Sequence, residues 1–146
     1  MIKTFRGILS SLAESRVRLS TKKGKIGYRV VKFQIMTEDP FNSGTVEHVM
    51  KIYKVTQPTI NDSVDFSDGN LLGVATWHET DDLDESGYGD IIFDQEIFNQ
   101  DVFITHSEVF GSKRCNYYLE LETMSLTDNA AAVSTLRDIR LNPAPE

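Results

Sequence analysis

The chain has 146 residues, of which 40% are hydrophobic, and a formal net charge of −7. A chain of this size buries a core without metal or disulfide support, so we expect one domain over residues 1–146. No apolar run approaches the roughly 20 residues of a membrane span, and the first residues show no convincing signal-peptide cleavage site. Composition therefore disfavours a membrane protein and predicts synthesis in a cytoplasm.

Most of the chain shows the patterns of short antiparallel strands separated by Gly, Pro and Asp turns. In chain order we predict strands at 2–10, 16–20, 28–36, 46–55 and 71–78, followed by two long strands joined by a polar turn at 89–124. The strand at 28–36 is predicted to be central in its sheet, with Val31, Phe33 and Ile35 facing the core. Both faces of the strand at 71–78 are apolar, which indicates a strand covered on both sides or one that meets another subunit.

The stretch from Gly89 to Met124 carries the clearest periodic signal. Near its end, every second residue is apolar, the period expected of a strand with one buried face: Cys115, Tyr117, Leu119 and Leu121. Earlier in the stretch the parity changes around Asn99 and Gln100, which predicts a bulge or a corner where the chain changes sheets.

After Met124 the pattern changes to that of a helix. Thr127 or Asp128 is a candidate N-cap for a helix over about 128–140, and the proline-containing tail at 141–146 cannot continue it. Seven or eight strands spaced by about ten residues, with one terminal helix, predict an all-β fold. We expect an antiparallel β-sandwich or jelly-roll-like domain with one short C-terminal helix.

Charge is distributed unevenly along the chain. Residues 1–32 contain nine Lys or Arg and one acid, whereas the remainder contains six basic and 21 acidic residues. This polarity favours contact with an acidic partner or with another copy of the chain. The predicted partner-binding residues are Arg16, Arg18, Lys22, Lys23, Lys25, Leu71 and Trp77. The alternative is that these charges lie on solvated faces and pair within the molecule.

Catalytic and metal-binding motifs are absent from the sequence, so we predict neither an enzyme nor a cofactor. His48, His78 and His106 have no metal-ligand spacing, and we expect them on polar strand faces rather than in a metal triad. Cys115 cannot form an internal disulfide, and its apolar parity predicts a buried thiol, not a nucleophile.

An acidic segment is the weak candidate for a cation site. Asp81, Asp82, Asp84 and Glu85 offer the oxygen ligands that Ca²⁺ prefers, but the EF-hand spacing is not met. A solvated acidic loop is the favoured interpretation. Nucleic-acid binding is disfavoured, because the acidic remainder would repel a polyanion and no aromatic stacking platform is evident.

Several stretches together resemble small virion structural proteins of tailed bacteriophages, especially marine ones. The resemblance covers almost the whole length and rests on MIKTFRG, RLSTKKGKIGYRVVKFQIM, DFSDGNLL, IFDQEIFNQDVFITH, CNYYLELE and STLRDIR. It implies a β-rich subunit repeated on a particle surface, in the capsid or in the tail, and assembled in the host cytoplasm. The leading hypothesis is a decoration or cement protein that binds the major capsid protein.

The alternative hypothesis is a tail-associated module that binds a receptor or a carbohydrate, with or without Ca²⁺. Aromatic side chains can stack on sugar rings, and the candidates are Trp77, Tyr88, Tyr117 and Tyr118.

Overall fold

The computed structural model describes residues 1–21, 23–41, 44–80 and 86–127. Within these ranges the chain forms eight strands and no α-helix: β1 (Ile2–Leu9), β2 (Ala13–Val17), β3 (Ile26–Thr37), β4 (Val46–Tyr53), β5 (Leu71–Glu79), β6 (Ser86–Ile92), β7 (Val102–Glu108) and β8 (Cys115–Ser125). They form two antiparallel sheets, with strand orders β1-β8-β3 and β2-β7-β4-β5-β6. The prediction of a mainly β protein with antiparallel sheets is confirmed.

Two predictions about the C-terminus, the helix over about 128–140 and the tail at 141–146, lie outside the described residues. None of the described residues belongs to a helix with the length and apolar character needed to cross a membrane.

The facing sides of the two sheets share one hydrophobic core. From the three-stranded sheet Phe33 and Leu119 are fully buried, and from the five-stranded sheet Ile52 and Ile104 are fully buried. The alternation predicted for β8 is confirmed, because Cys115, Leu119 and Leu121 are buried and Tyr117 packs against the same core.

Strand β3 differs from the prediction in two respects. The register with β8 shifts between Val30 and Lys32, so Val31 is an extra residue in a β-bulge. Val30, and not Val31 as predicted, therefore occupies the buried position. A bulge reverses which residues face the core on its N-terminal side. Phe33 and Ile35 follow the bulge and are buried as predicted. In addition, β3 lies at the edge of its sheet and β8 is the central strand.

The predicted change of sheets at Asn99 and Gln100 is wrong, because β6 and β7 lie in the same sheet. The chain changes sheets between β7 and β8 instead. Residue Phe98 nevertheless reaches the other sheet through a two-bond bridge with Tyr28, whose N–H to O distances are 2.8 and 3.0 Å. The stretch at 89–124 contains parts of three strands, β6, β7 and β8, and not the two that were predicted. Its parity changes because β6 ends at Ile92 and a separate strand, β7, begins at Val102.

Strand β2 begins and ends three residues earlier than predicted. Leu19 and Ser20 do not continue it, because their backbone N–H groups donate to Asp101 Oδ1 at 2.6 and 2.8 Å. The Asp101 carboxylate therefore takes the place of the backbone acceptors that a neighbouring strand would provide.

Strand β5 is covered on both faces within the chain. Leu72 and Ala75 join the main core, while Leu71 and Val74 pack with Tyr53 in a second cluster. Of the two explanations given for its apolar pattern, coverage on both sides is therefore the one observed.

Candidate functional site

An aromatic groove of about 350 Å³ lies where the edge of β3 approaches β5 and β6. Its lining comprises residues 34–36 of β3, residues 116–118 of β8, Trp77 and Tyr88. All four aromatic residues predicted to stack on a ligand therefore line a single groove.

Two strands of the five-stranded sheet supply one wall of the groove. Trp77 and Tyr88 are cross-strand partners on β5 and β6, and their rings meet edge to face with centroids 6.3 Å apart. The Tyr88 hydroxyl donates to the Phe33 carbonyl at 3.2 Å, on the free edge of β3. Burial, reinforced by Asp90, raises the pKa of Tyr88 to about 12, so the phenol stays neutral and remains a donor.

Strand β8 supplies Tyr117 and Tyr118 in consecutive positions. A Cβ placed on Gly7 would lie only 2.8 Å from the Tyr117 hydroxyl oxygen, so the ring covers that glycine. The Tyr118 hydroxyl donates to Glu120 Oε1 at 2.7 Å. Two half-buried tyrosines, with the amides of Gln34 and Asn116 beside them, give the groove apolar faces and polar edges.

The predicted partner-binding residues are spread over several environments. Arg18, Lys23 and Lys25 are exposed in the connection between β2 and β3, and Lys22 lies outside the described residues. Arg16 forms an ion pair with Asp101, with 2.7 Å between Nε and Oδ2. Trp77 lines the groove.

Leu71 has a different environment, because it is only 4% exposed and packs in the second cluster of its own chain. A partner would therefore reach it only after that cluster opens.

Pairing within the molecule accounts for part of the basic N-terminal charge. Arg16 pairs with Asp101, and Arg29 pairs with Glu122 at 2.5 Å between Nη2 and Oε2. At these two positions, therefore, the basic residues pair within the molecule, as the alternative interpretation predicted. Arg18 and Lys23 are exposed cationic side chains.

A buried histidine pair lies between the sheets. His48 of β4 and His106 of β7 are 1% and 0% exposed, and 2.9 Å separates Nδ1 of His48 from Nε2 of His106. Nε2 of His48 lies 2.9 Å from Thr37 Oγ1. The expectation that these histidines lie on polar faces is wrong for both, whereas His78 is exposed and lies apart from them.

Cys115 completes this cluster from the opposite sheet, since its sulfur and one nitrogen of each ring lie within 4.8 Å of one another. Burial, with a smaller effect of His106, lowers the pKa of His48 to about 4. Burial also lowers the pKa of His106 and raises that of the Cys115 thiol to about 12. All three groups are consequently neutral at pH 7.

Sequence reasoning missed this cluster although a signal was present. His48 shares the parity of the buried Met50 and Ile52, and His106 shares that of Ile104. Parity alone predicts that both imidazoles face the core. Their contact depends in addition on β4 and β7 being neighbours in the sheet. The candidate Ca²⁺ residues Asp81, Asp82, Asp84 and Glu85 lie outside the described residues.

These observations define the class of the protein as all-β, with two antiparallel sheets around a shared core. Comparison of the sequence with protein-family models and with curated proteins found no match.

Proposed function

We propose that the chain is a non-enzymatic structural protein of a tailed-phage virion, a β-sandwich subunit that decorates the capsid by binding the major capsid protein. The observation that carries this proposal is a cationic connection between β2 and β3, whose described residues are 18–21 and 23–25. Arg18, Lys23 and Lys25 are exposed in it.

The backbone of this connection is held at both ends. Asp101 accepts the N–H groups of Leu19 and Ser20, and the Tyr28 hydroxyl donates to the Leu19 carbonyl at 3.1 Å. Near the other end Asn99 Nδ2 donates to the Gly24 carbonyl at 2.9 Å. A backbone that is already ordered loses less conformational entropy on binding, so it presents cationic side chains to a partner at lower cost.

An acidic surface on the capsid is the partner that this connection would recognise. Opposite charges increase the association rate and fix orientation, and both effects weaken as salt screens them. The same connection provides a route to self-association with the acidic region of another copy.

The test is attachment to heads assembled from the major capsid protein of the same phage. We expect Arg18→Glu with Lys23→Glu to reduce occupancy at least tenfold in co-sedimentation, while the circular dichroism spectrum stays that of the wild type. Lys113→Glu changes an exposed lysine in the connection between β7 and β8 and is the control. Unchanged occupancy of the double variant, or equal loss in the control, would contradict the proposal.

A second candidate function follows from the aromatic groove. Trp77, Tyr88, Tyr117 and Tyr118 line it together, and aromatic faces with amide edges suit a sugar ring. In this proposal the chain is a tail-associated module that binds a carbohydrate or a glycosylated receptor, with Ca²⁺ assistance where the 81–85 segment supplies ligands.

Trp77 is the only tryptophan, so its fluorescence reports directly on the groove. We expect host-surface polysaccharide fragments to change this emission in a saturable way, and Tyr118→Ala to weaken binding at least fivefold. Phe41→Ala removes an exposed aromatic residue outside the groove and is the control. A melting temperature that is identical with Ca²⁺ and with chelator would remove the Ca²⁺-assisted version.

A further inference from the structure

The buried cluster of His48, His106 and Cys115 has the composition of a metal centre. Two imidazole nitrogens and a sulfur approach within 4.8 Å of one another, and all three residues are buried. Cys115 becomes a thiolate ligand by releasing its thiol proton to solvent when a metal binds. Imidazole and thiolate together suit thiophilic d¹⁰ ions, which favour sulfur and nitrogen ligands over oxygen. We propose that this cluster binds Cu⁺ or Zn²⁺ between the two sheets, a function separate from capsid or carbohydrate binding.

The outer ring nitrogens support this assignment. A histidine that binds a metal usually donates its second N–H to a hydroxyl, carboxylate or carbonyl group. Nε2 of His48 already lies 2.9 Å from Thr37 Oγ1. Nδ1 of His106 is buried without a hydrogen-bond partner among the described residues, and Leu9 and Ser10 offer backbone acceptors to the same imidazole.

Metal binding would also change which ring nitrogens of His48 and His106 carry hydrogen. In the metal-free pair, the 2.9 Å contact between the facing nitrogens requires a proton on one of them. An ion bound by both facing nitrogens takes the place of that proton. Both outer nitrogens then carry hydrogen, so Thr37 Oγ1 accepts from one ring and a backbone carbonyl accepts from the other.

The position of the ligands suggests how an ion would enter. Cys115 is the first residue of β8 and pairs with Thr37, the last residue of β3, while His106 is close to the end of β7. The cluster therefore lies near strand ends, where sheets open more easily than at their centres. Since its residues are nevertheless buried, we expect loading during folding, when metal and chain assemble together.

The experiment refolds the full chain anaerobically with a thiol-free reductant, in separate samples with Zn²⁺, Cu⁺, Co²⁺ or no metal. We expect one ion per chain to be retained through gel filtration with Zn²⁺ or Cu⁺, and the melting temperature to rise by several degrees. The Co²⁺ sample should show thiolate-to-cobalt charge-transfer absorption, which only a bound sulfur produces. Comparison of the Zn²⁺ and Cu⁺ samples identifies the preferred ion.

Cys115→Ser is the test variant and His78→Ala, which removes the exposed histidine, is the control. We expect the first to lose the ion and the charge-transfer band and the second to keep both. Absence of retained metal and of the band in the wild type would overturn the proposal, as would full retention by Cys115→Ser. If that variant does not fold, the presence or absence of the charge-transfer band in the wild-type Co²⁺ sample still tests whether Cys115 binds the metal.

Discussion

Arg16 at the end of β2 and Asp101 just before β7 form an ion pair in which the two side chains differ greatly in exposure. The Asp101 side chain is 5% exposed and the Arg16 side chain is 38% exposed, with 2.7 Å between Nε and Oδ2. The other carboxylate oxygen accepts the backbone N–H groups of Leu19 and Ser20. One buried carboxylate thus joins β2, β7 and the cationic connection.

Replacement of Asp101 by alanine should lower the free energy of unfolding by about 2–4 kcal/mol, because the buried N–H of Leu19, the partly buried N–H of Ser20 and a guanidinium lose their acceptor. Asp101→Asn keeps one acceptor oxygen and should cost less. Urea denaturation measures both variants, with Asp94→Ala at an exposed position as the control. A loss no greater than that of the control would show that the carboxylate is not structural.

Asp101 should also contribute to acid sensitivity. Burial acts to raise its pKa, but the hydrogen bonds from Ser20, Leu19 and Arg16 prevail and the pKa lies below its usual value. A carboxyl with a lowered folded-state pKa stabilises the fold above its unfolded value of about 3.9, and this contribution disappears as pH falls through the folded value. The test measures the urea concentration at half-unfolding from pH 7 to pH 3. Below about pH 4 this midpoint should fall less steeply with pH in Asp101→Asn than in wild type.

Gly7 should not tolerate a side chain. A Cβ there would lie 2.8 to 2.9 Å from three atoms of the Tyr117 ring, so Gly7→Ala must displace a ring that packs on the core. We expect a loss of about 1–3 kcal/mol in unfolding free energy. At Gly69 nothing lies within 4 Å of the corresponding position, so Gly69→Ala should change stability by less than about 1 kcal/mol. Equal stabilities of the two variants would contradict the close contact.

Cys115 should be unreactive in the native state. It is completely buried and its pKa is raised to about 12, so neither access nor thiolate is available at pH 8. With a chromogenic disulfide reagent we expect no release of chromophore from the metal-free native protein within minutes. One equivalent should be released at once in denaturant. Immediate stoichiometric reaction of the native protein would show that the interior is open.

Local sequence patterns located most of the strands, although β2 lies three residues earlier than predicted and β6 and β7 were not separated. Alternation in β8 identified Cys115, Leu119 and Leu121 as buried. The two apolar faces of β5 predicted either a strand covered on both sides or one that meets another subunit, and the structure shows the first. These features follow from the two-residue period of an extended chain, which any single strand displays. The same period failed at Val31, because a bulge shifts the register and leaves no mark in residue type.

The sites were decided by tertiary structure. His48 and His106 are 58 residues apart in the chain, and Trp77 meets Tyr117 and Tyr118 in the groove only because β3, β5 and β8 come together. The sequence determined that these aromatic and imidazole side chains exist and which parity each has. Strand order and the stacking of two sheets decided which of them meet, since such contacts depend on the burial of the whole core rather than on neighbouring residues.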